Sequence, residues 1–381
     1  MTEWKKYRLG DIAEVQTGPF GSQLHMSDYK EIGTPIITVE HLGENKIVHS
    51  NLPLVGIEDK QRLIKYTLKE GDIVFSRVGS VDRRAYISKA EDGWMFSGRC
   101  LRVRADQKNV NPKFLSFYFG QESFKETIRR FAVGATMPSI NTTLLCGVDI
   151  SIPELKYQNA IAEVLSSLDD KIDLLHLQNK TLEQLAETLF RQWFVEEAEE
   201  GCEEVTFGDL VTPKKGKNIT KSQAIEGEYP VVAGGLEPSC YHNEANTKSP
   251  VITVSSSGAN AGFVRLYYTQ VWSSDSCYID ETVTPYVYFS YVFLREKQRQ
   301  LTDKQEGSAQ PHIYPIHIME LDMLNYPKEL IEKFEKEATP IFQRIKSNTH
   351  QIRTLTQLRD TLLPKLMSGE LRVKSVKGDS L

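Results

Sequence analysis

"KIDLLHLQNKTLEQLAETLF", residues 171–190, holds the middle of an apolar ladder that organises the whole chain. From Ile161 the ladder runs through Leu165, Leu168, Ile172, Leu175, Asn179, Leu182, Ala186 and Leu189 to Trp193. Its gaps alternate four and three, which is a heptad seam rather than the broader stripe of a globular helix. Moved by 173 residues, the ladder recurs as Phe334, Ala338, Ile341, Ile345, Asn348, Ile352, Leu355, Arg359, Leu362 and Leu366. Each ladder predicts a helix of about 40 residues, roughly 60 Å long. Neither helix can bury its stripe alone, so the two are expected to bury their stripes on each other.

Isoleucine favours one seam position (Ile172, Ile345, Ile352) and leucine the other (Leu168, Leu175, Leu182, Leu189, Leu355, Leu362). Asn179 falls on the first kind and Asn348 on the second. Layers of an antiparallel pair set the two kinds against each other, so the asparagines could share a layer only if the helices run antiparallel. That register places Ile172 beside Leu355 and Leu165 beside Leu362. A buried polar layer costs stability and can fix orientation; the alternative is that both asparagines are exposed where the seam loosens.

The duplication extends upstream of the helices. "YRLGDIAEVQTG" (7–18) echoes "VTFGDLVTPKKG" (205–216), and "GDIVFSRVGSVDRRAY" (71–86) lines up loosely with "PVITVSSSGANAGFV" (250–264). "VGATMPSI" (133–140) answers "EGSAQPHI" (306–313), and "ISIPELKYQ" (150–158) answers "LNYPKELIE" (324–332) just before each helix. Short β-rich runs broken by Gly, Pro and Asn fill both globular halves. The expected architecture is therefore α+β: a first domain over 1–150, a helical spacer over 151–200, a second domain over 201–325, a second spacer over 326–373 and a polar tail over 374–381.

At 381 residues the chain is long enough for more than one core, and its 40% hydrophobic and 25% charged residues exclude global disorder. No run of 18 apolar residues and no apolar leader is present, so the chain reads as cytoplasmic, without membrane association. Five scattered cysteines (Cys100, Cys146, Cys202, Cys240, Cys277) form no C-x-x-C pair and read as buried or idle thiols. The net charge of −5 argues against nucleic acid when taken alone, but its distribution is uneven. Acid concentrates in "EEAEEGCEE" (196–204), whereas Arg77, Arg83, Arg84, Lys89, Arg99, Arg102 and Arg104 crowd residues 77–104, a locally basic face.

No catalytic or metal constellation stands out. "VVAGGLEP" (231–238) lacks a G-x-G-x-x-G frame, "SSSGANAG" (255–262) lacks a nucleophile elbow, and the histidines form no H-E-x-x-H. Asp149, Glu154 and Lys156 superficially resemble a nuclease's acidic pair with lysine, but the second half does not keep the spacing, and capping or solvation explains them as well. What remains suits nucleic acid. In the first half Arg77, Arg83 and Arg84 flank a Gly-Ser turn with Ser76, Ser80 and Arg99 near. In the second, Lys214, Lys215 and Lys217 lie on one loop and Ser255, Ser256, Ser257, Asn260 and Arg265 on another. Such side chains position on phosphates or read base edges.

Over essentially its whole length, the chain resembles the specificity subunits of type I restriction-modification systems. The resemblance rests on "LGDIAEVQTG", "GDIVFSRVGS", "GSAQPHI", the I-P or Y-P opening of each helix, and "LLPKLMSGELRV" (362–373), in this order and largely twice over. It implies two target-recognition domains, each reading half of a split double-stranded DNA target, held apart by an antiparallel coiled coil with pseudo-two-fold symmetry. It also implies docking of two modification subunits, which bring S-adenosylmethionine and methylate adenine, and two restriction subunits, which bring ATP-driven translocation and Mg-dependent cleavage. No cofactor is then expected on this chain. The departure is "VSSSGANAG", which lacks the basic residue often found in the corresponding turn. A coiled-coil adaptor that binds only proteins remains the alternative, and a stand-alone nuclease or methyltransferase is disfavoured.

Overall fold

The computed structural model describes residues 4–134, 136–197, 203–307 and 310–373. The polar tail at 374–381, Cys202, residues 198–202 of the acidic stretch, and Ala135, Ser308 and Ala309 of the two matching loops lie outside the described residues.

The chain divides into two compact units, Met1–Ile172 with Thr354–Leu381, and Asp173–Arg353. Each unit has the same plan. In the first, Ala13–Thr17, Cys100–Ala105, Ile73–Ser76 and Arg84–Tyr86 form an antiparallel sheet in that order. In the second, Lys214–Lys215, Ser276–Asp280, Val251–Ser255 and Val264–Tyr267 do the same. A second small sheet carries a parallel pair in each: Thr34–Ile37 beside Met95–Phe96, and Tyr229–Val232 beside Trp272–Ser273. The first strand of each unit pairs with the strand just before the long helix, Lys5–Arg8 with Asp149–Ile152 and Glu204–Thr206 with Asp322–Leu324. Ile73–Ser76 and Val251–Ser255 are buried along their whole length, as the continuous apolar runs of a central strand require.

The two long helices are Leu155–Arg191, continued by a π-helical turn over Gln192–Glu196, and Lys328–Met367. They do not form packing units of their own, as separate spacer modules over 151–200 and 326–373 would. Each is divided between the two units, because each globular head uses part of the seam as one wall of its core. In unit 1, Ile161, Leu165, Leu366 and Met367 join the core of Phe75, Phe114 and Phe119, with Leu362 packed against it. In unit 2, Ala186, Phe190, Phe194, Phe334, Ala338, Phe342 and Ile345 join Phe207, Phe289 and Phe293, with Leu182, Leu189 and Ile341 at the margin.

The helices run antiparallel within each unit. In unit 2, Asn348 is fully buried and its Nδ2 donates to Asn179 Oδ1 at 2.9 Å, so the two asparagines share one layer. In unit 1, Arg359 Nη1 meets Asp169 Oδ1 at 2.9 Å, turning the ladder's one charged position into an ion pair. Ile172 and Leu175 are buried, while Leu168, Ile352 and Leu355 are half-buried.

The seam departs from a strict heptad toward head 2. Phe190, Phe194 and Phe342 take the buried places, and Leu189, Trp193 and Ile341 only border the core. A nearly straight helix drifts about 20° per heptad away from a 3.5-residue repeat, and large aromatic side chains pulled into the head make use of that drift. Phe190 and Phe194 both pack edge-on to Phe334, at ring-centroid distances of 5.7 and 5.5 Å. Glu335 reaches from the second long helix to accept the N–H groups of Tyr288 and Phe289 at 3.1 and 2.8 Å. Those are orphan donors in the first turn of helix Val287–Glu296. Burial pushes this carboxyl above the usual carboxylate range, with the backbone N–H groups working against that shift.

The polar layer makes a prediction. Asn179→Leu leaves the Asn348 amide buried without its best acceptor and is expected to destabilise the protein by about 1–3 kcal/mol in urea denaturation. Adding Asn348→Leu should recover most of that loss. Equal stability of the single and double variants would show that the layer is not a matched pair.

No helix among the described residues is long and apolar enough to cross a membrane.

Candidate nucleic-acid interface

In unit 1 the buried strand Ile73–Ser76 runs out into a turn at Gly79, whose φ of +74° is left-handed. Three segments are stapled around this turn by their backbones. The Arg77 N–H donates to Arg99 O at 2.8 Å, the Gly79 N–H to Pro138 O at 2.8 Å, and the Ile140 N–H to Arg77 O at 2.9 Å. Ser76 is fully buried, and its hydroxyl closes the turn on Val78 O at 2.7 Å.

Unit 2 repeats these staples atom for atom. The Ser256 N–H donates to Asp275 O at 3.1 Å, the Gly258 N–H to Pro311 O at 3.0 Å, and the Ile313 N–H to Ser256 O at 2.9 Å. Gly258 also has a positive φ, +80°. The strand registers agree, with Ser76 opposite Cys100 and Ser255 opposite Ser276. Edge segments join both frames, through the Gly18 N–H to Cys100 O at 3.2 Å and the Gly216 N–H to Ser276 O at 2.8 Å. A Cβ on Gly18 would fall 2.2 Å from Ser97 O, and one on Gly216 2.5 Å from Ser274 O, so both positions exclude a side chain.

The expected contact residues separate on this frame. In unit 1, Ser80, Arg83 and Arg99 are exposed and Arg77 is half-buried. The Arg77 guanidinium lies 5.3 Å from the Phe20 ring centroid and donates to Gly98 O at 3.2 Å. Arg83 donates to Leu42 O. Arg99 has no side-chain partner among the described residues. Arg84 does not belong with them: its side chain is 5% exposed, its Nε donates to Ser116 O at 3.0 Å and its Nη1 faces Glu44 at 3.4 Å. It lies on the opposite face of the pleat from Arg83, and burial lowers its pKa. Arg102 is likewise buried, paired with Glu14 at 2.7 Å, and Arg104 pairs with the buried Asp72. Three of the seven basic residues read from residues 77–104, Arg84, Arg102 and Arg104, are thus internal structure.

In unit 2, Lys214, Lys215 and Lys217 are exposed on the edge strand and the loop after it. Lys214 Nζ donates to Thr282 Oγ1 at 3.0 Å, and the Lys217 ammonium lies 6.0 Å from the Trp272 ring centroid. Ser255, Ser256 and Ser257 are buried, which corrects the expectation that their hydroxyls face a ligand. Ser256 Oγ lies 3.7 Å from Cys277 Sγ, and Ser257 Oγ donates to Asp275. Asn260 is half-buried, with Nδ2 3.4 Å from Gly234 O, and Arg265 is half-buried against Tyr267 and donates to Leu236 O.

The two heads therefore do not carry their basic residues at corresponding places. By register, Arg77 corresponds to Ser256, Arg83 to Phe263, Arg84 to Val264 and Arg99 to Asp275. Sequence reasoning did not single out Asp275; the backbone register makes Cys100 equivalent to Ser276, and so Arg99 to Asp275. It also missed the exposed Phe20, Val133 and Met137 beside the first turn, which no pattern of charge or spacing marks. Among the described residues, no group of three or more His, Cys, Asp or Glu could hold a metal ion.

Residues 1–184 and 199–321 match the family described as type I restriction modification DNA specificity domain. The chain is 25% identical to the type I restriction enzyme MjaIX specificity subunit of Methanocaldococcus jannaschii, over 98% of this chain and 95% of that protein. It is 21% identical to the type I restriction enzyme HindI specificity subunit of Haemophilus influenzae, over 97% of this chain and 100% of that protein. Among solved structures, the S subunit of a type I restriction-modification system from M. genitalium shares the fold, with a TM-score of 0.66 at 19% identity over 96% of each chain. With the family matched across both duplicated halves, the chain belongs to the type I restriction-modification DNA specificity family, as a specificity subunit and not as an enzyme in its own right.

Proposed function

We propose that this subunit reads a bipartite, asymmetric DNA target, one half-site per head, with the paired helices setting the spacing. The observation that carries this reading is the three-segment frame, kept bond for bond in both heads while its outward side chains differ in charge. A rigid frame with exchanged side chains is what two readers of different sequences need, because phosphate contacts position a protein and base-edge contacts specify. The long helices suit the role of ruler because a helix lengthens by about 1.5 Å per residue and transmits that length without slack.

On this reading two modification subunits dock to the chain and supply S-adenosylmethionine for adenine methylation. Two restriction subunits supply ATP-driven translocation and Mg-dependent cleavage. The chain's own residues bind, orient and select DNA, and a flipped adenine is handled by the partner. The test is a methylation map of DNA from cells carrying this chain with its modification subunit, against cells lacking only this chain. The expected result is a split adenine motif that disappears with the chain. An unchanged map would overturn the reading and favour a protein-binding coiled-coil adaptor, whose DNA binding would be steeply salt-dependent and indifferent to sequence.

A further inference from the structure

At the solvent-reaching residue just before the strand that begins at Cys100 in head 1 and at Ser276 in head 2, the duplicated frame carries opposite charges. We propose that Arg99 and Asp275 are equivalent specificity-determining positions, Arg99 donating to a guanine in one half-site and Asp275 accepting from the exocyclic amino group of a cytosine in the other. This deepens the reading of the chain as a two-headed DNA reader and rests on it.

Three observations converge on the pair. First, both residues hold the same backbone bond, their carbonyls accepting from Arg77 N–H and Ser256 N–H at 2.8 and 3.1 Å. The direction in which each side chain leaves the frame is therefore set alike. Second, the next residue, Cys100 or Ser276, is buried, at 0% and 1% exposure. Residues 99 and 275 nonetheless reach solvent, Arg99 exposed and Asp275 half-buried. Third, the two side chains are in different states of readiness. Arg99 is exposed and has no side-chain partner among the described residues. Asp275 is half-buried, with Oδ2 accepting from the buried Ser257 hydroxyl, which orients the carboxylate and leaves Oδ1 for a donor.

The chemistry follows from the groups. A guanidinium offers a planar fork of donors that matches guanine O6 and N7, and a carboxylate accepts only, matching the amino group of cytosine. Arginine in place of Asp275 would meet a donor with a donor, and aspartate in place of Arg99 would meet two acceptors with acceptors. The exchange of charge at one fixed position thus gives the heads different half-sites without any change of backbone.

The experiment is the methylation map of cells carrying the full chain and its modification subunit, with the wild type, Arg99→Ala, Arg99→Lys and Asp275→Asn. Arg99→Ala and Arg99→Lys are both expected to relax one guanine-containing pair of a single half-site by about tenfold or more, leaving the other half-site intact, because lysine keeps the charge and loses the fork. Asp275→Asn is expected to move the preference at one pair of the other half-site from cytosine toward adenine, which an amide reads through N6 and N7. Motifs identical to the wild type would overturn the proposal. So would a uniform loss of modification by Arg99→Ala that Arg99→Lys restores, which marks a phosphate contact, or a uniform loss in both, which marks a part in folding. Absence of any split motif with the wild-type chain would instead remove the underlying reading, and the proposal with it.

Discussion

Insertion of one heptad into each long helix, between Ile172 and Leu175 in the first and between Ile352 and Leu355 in the second, is expected to lengthen the spacer of the recognised DNA. Both half-site sequences should stay unchanged. The insertion points lie next to the boundary between the two compact units, so each head keeps its own stretch of seam and its own core. Seven helical residues add about 10 Å, the rise of about three base pairs. A seven-residue insert also keeps the apolar seam in phase, which an insert of five would not. Three extra base pairs turn one half-site by about a third of a helical turn relative to the other. Modification at the new spacing should therefore be slower than at the original one. Insertion into one helix alone should abolish modification, because the Asn179–Asn348 layer and the Asp169–Arg359 pair could not both form. Methylation mapping of the three variants reads the outcome directly, and an unchanged spacing in the double insertion would sink the idea of the helices as a ruler.

Replacement of Arg104 by methionine is expected to cost unit 1 about 3–5 kcal/mol. The Asp72 side chain is 1% exposed and depends on Arg104, whose Nε and Nη2 reach its two oxygens at 2.7 and 2.6 Å. The Lys69 N–H completes the set at 2.8 Å. Methionine fills much of the same volume but leaves a carboxylate in the core with one backbone donor. Joint replacement of Asp72 by leucine and Arg104 by methionine should regain much of the loss, since an ion pair exchanged for packed apolar groups is often neutral. Arg99→Met, five residues away on the surface, should change stability by no more than about 0.5 kcal/mol. Hydrogen exchange at the amides of Cys100–Ala105 would separate the cases. Equal protection in the Arg104 and Arg99 variants would mean that the Asp72 pair is not structural.

These two arginines mark the limit of what the residue pattern shows. The cluster in residues 77–104 reads as one basic face, yet Arg84, Arg102 and Arg104 point into the protein and only Arg77, Arg83 and Arg99 face outward among its arginines. Which of them turn inward depends on the partners that cover each strand: Arg104 is held by Asp72 and by the Thr67 carbonyl, 32 and 37 residues away. The seam behaved differently. Its asparagine layer was legible in advance because both sides of it are written at heptad spacing in one chain. Phe190, Phe194 and Phe342 were not, since their burial comes from the head packed against the helix rather than from the repeat.

Local pattern was sufficient for the duplicated plan, the two long helices, their antiparallel sense and the membership of the family. Each of these depends on periodicity or on motif order, which are properties of residues near one another along the chain. The opposition of Arg99 and Asp275, the inward turn of Arg84, and the burial of Ser255, Ser256 and Ser257 came from the folded heads instead. They are set by hydrogen-bond register between segments tens of residues apart, and a shift of one residue in that register exchanges the outward face for the face that meets the core.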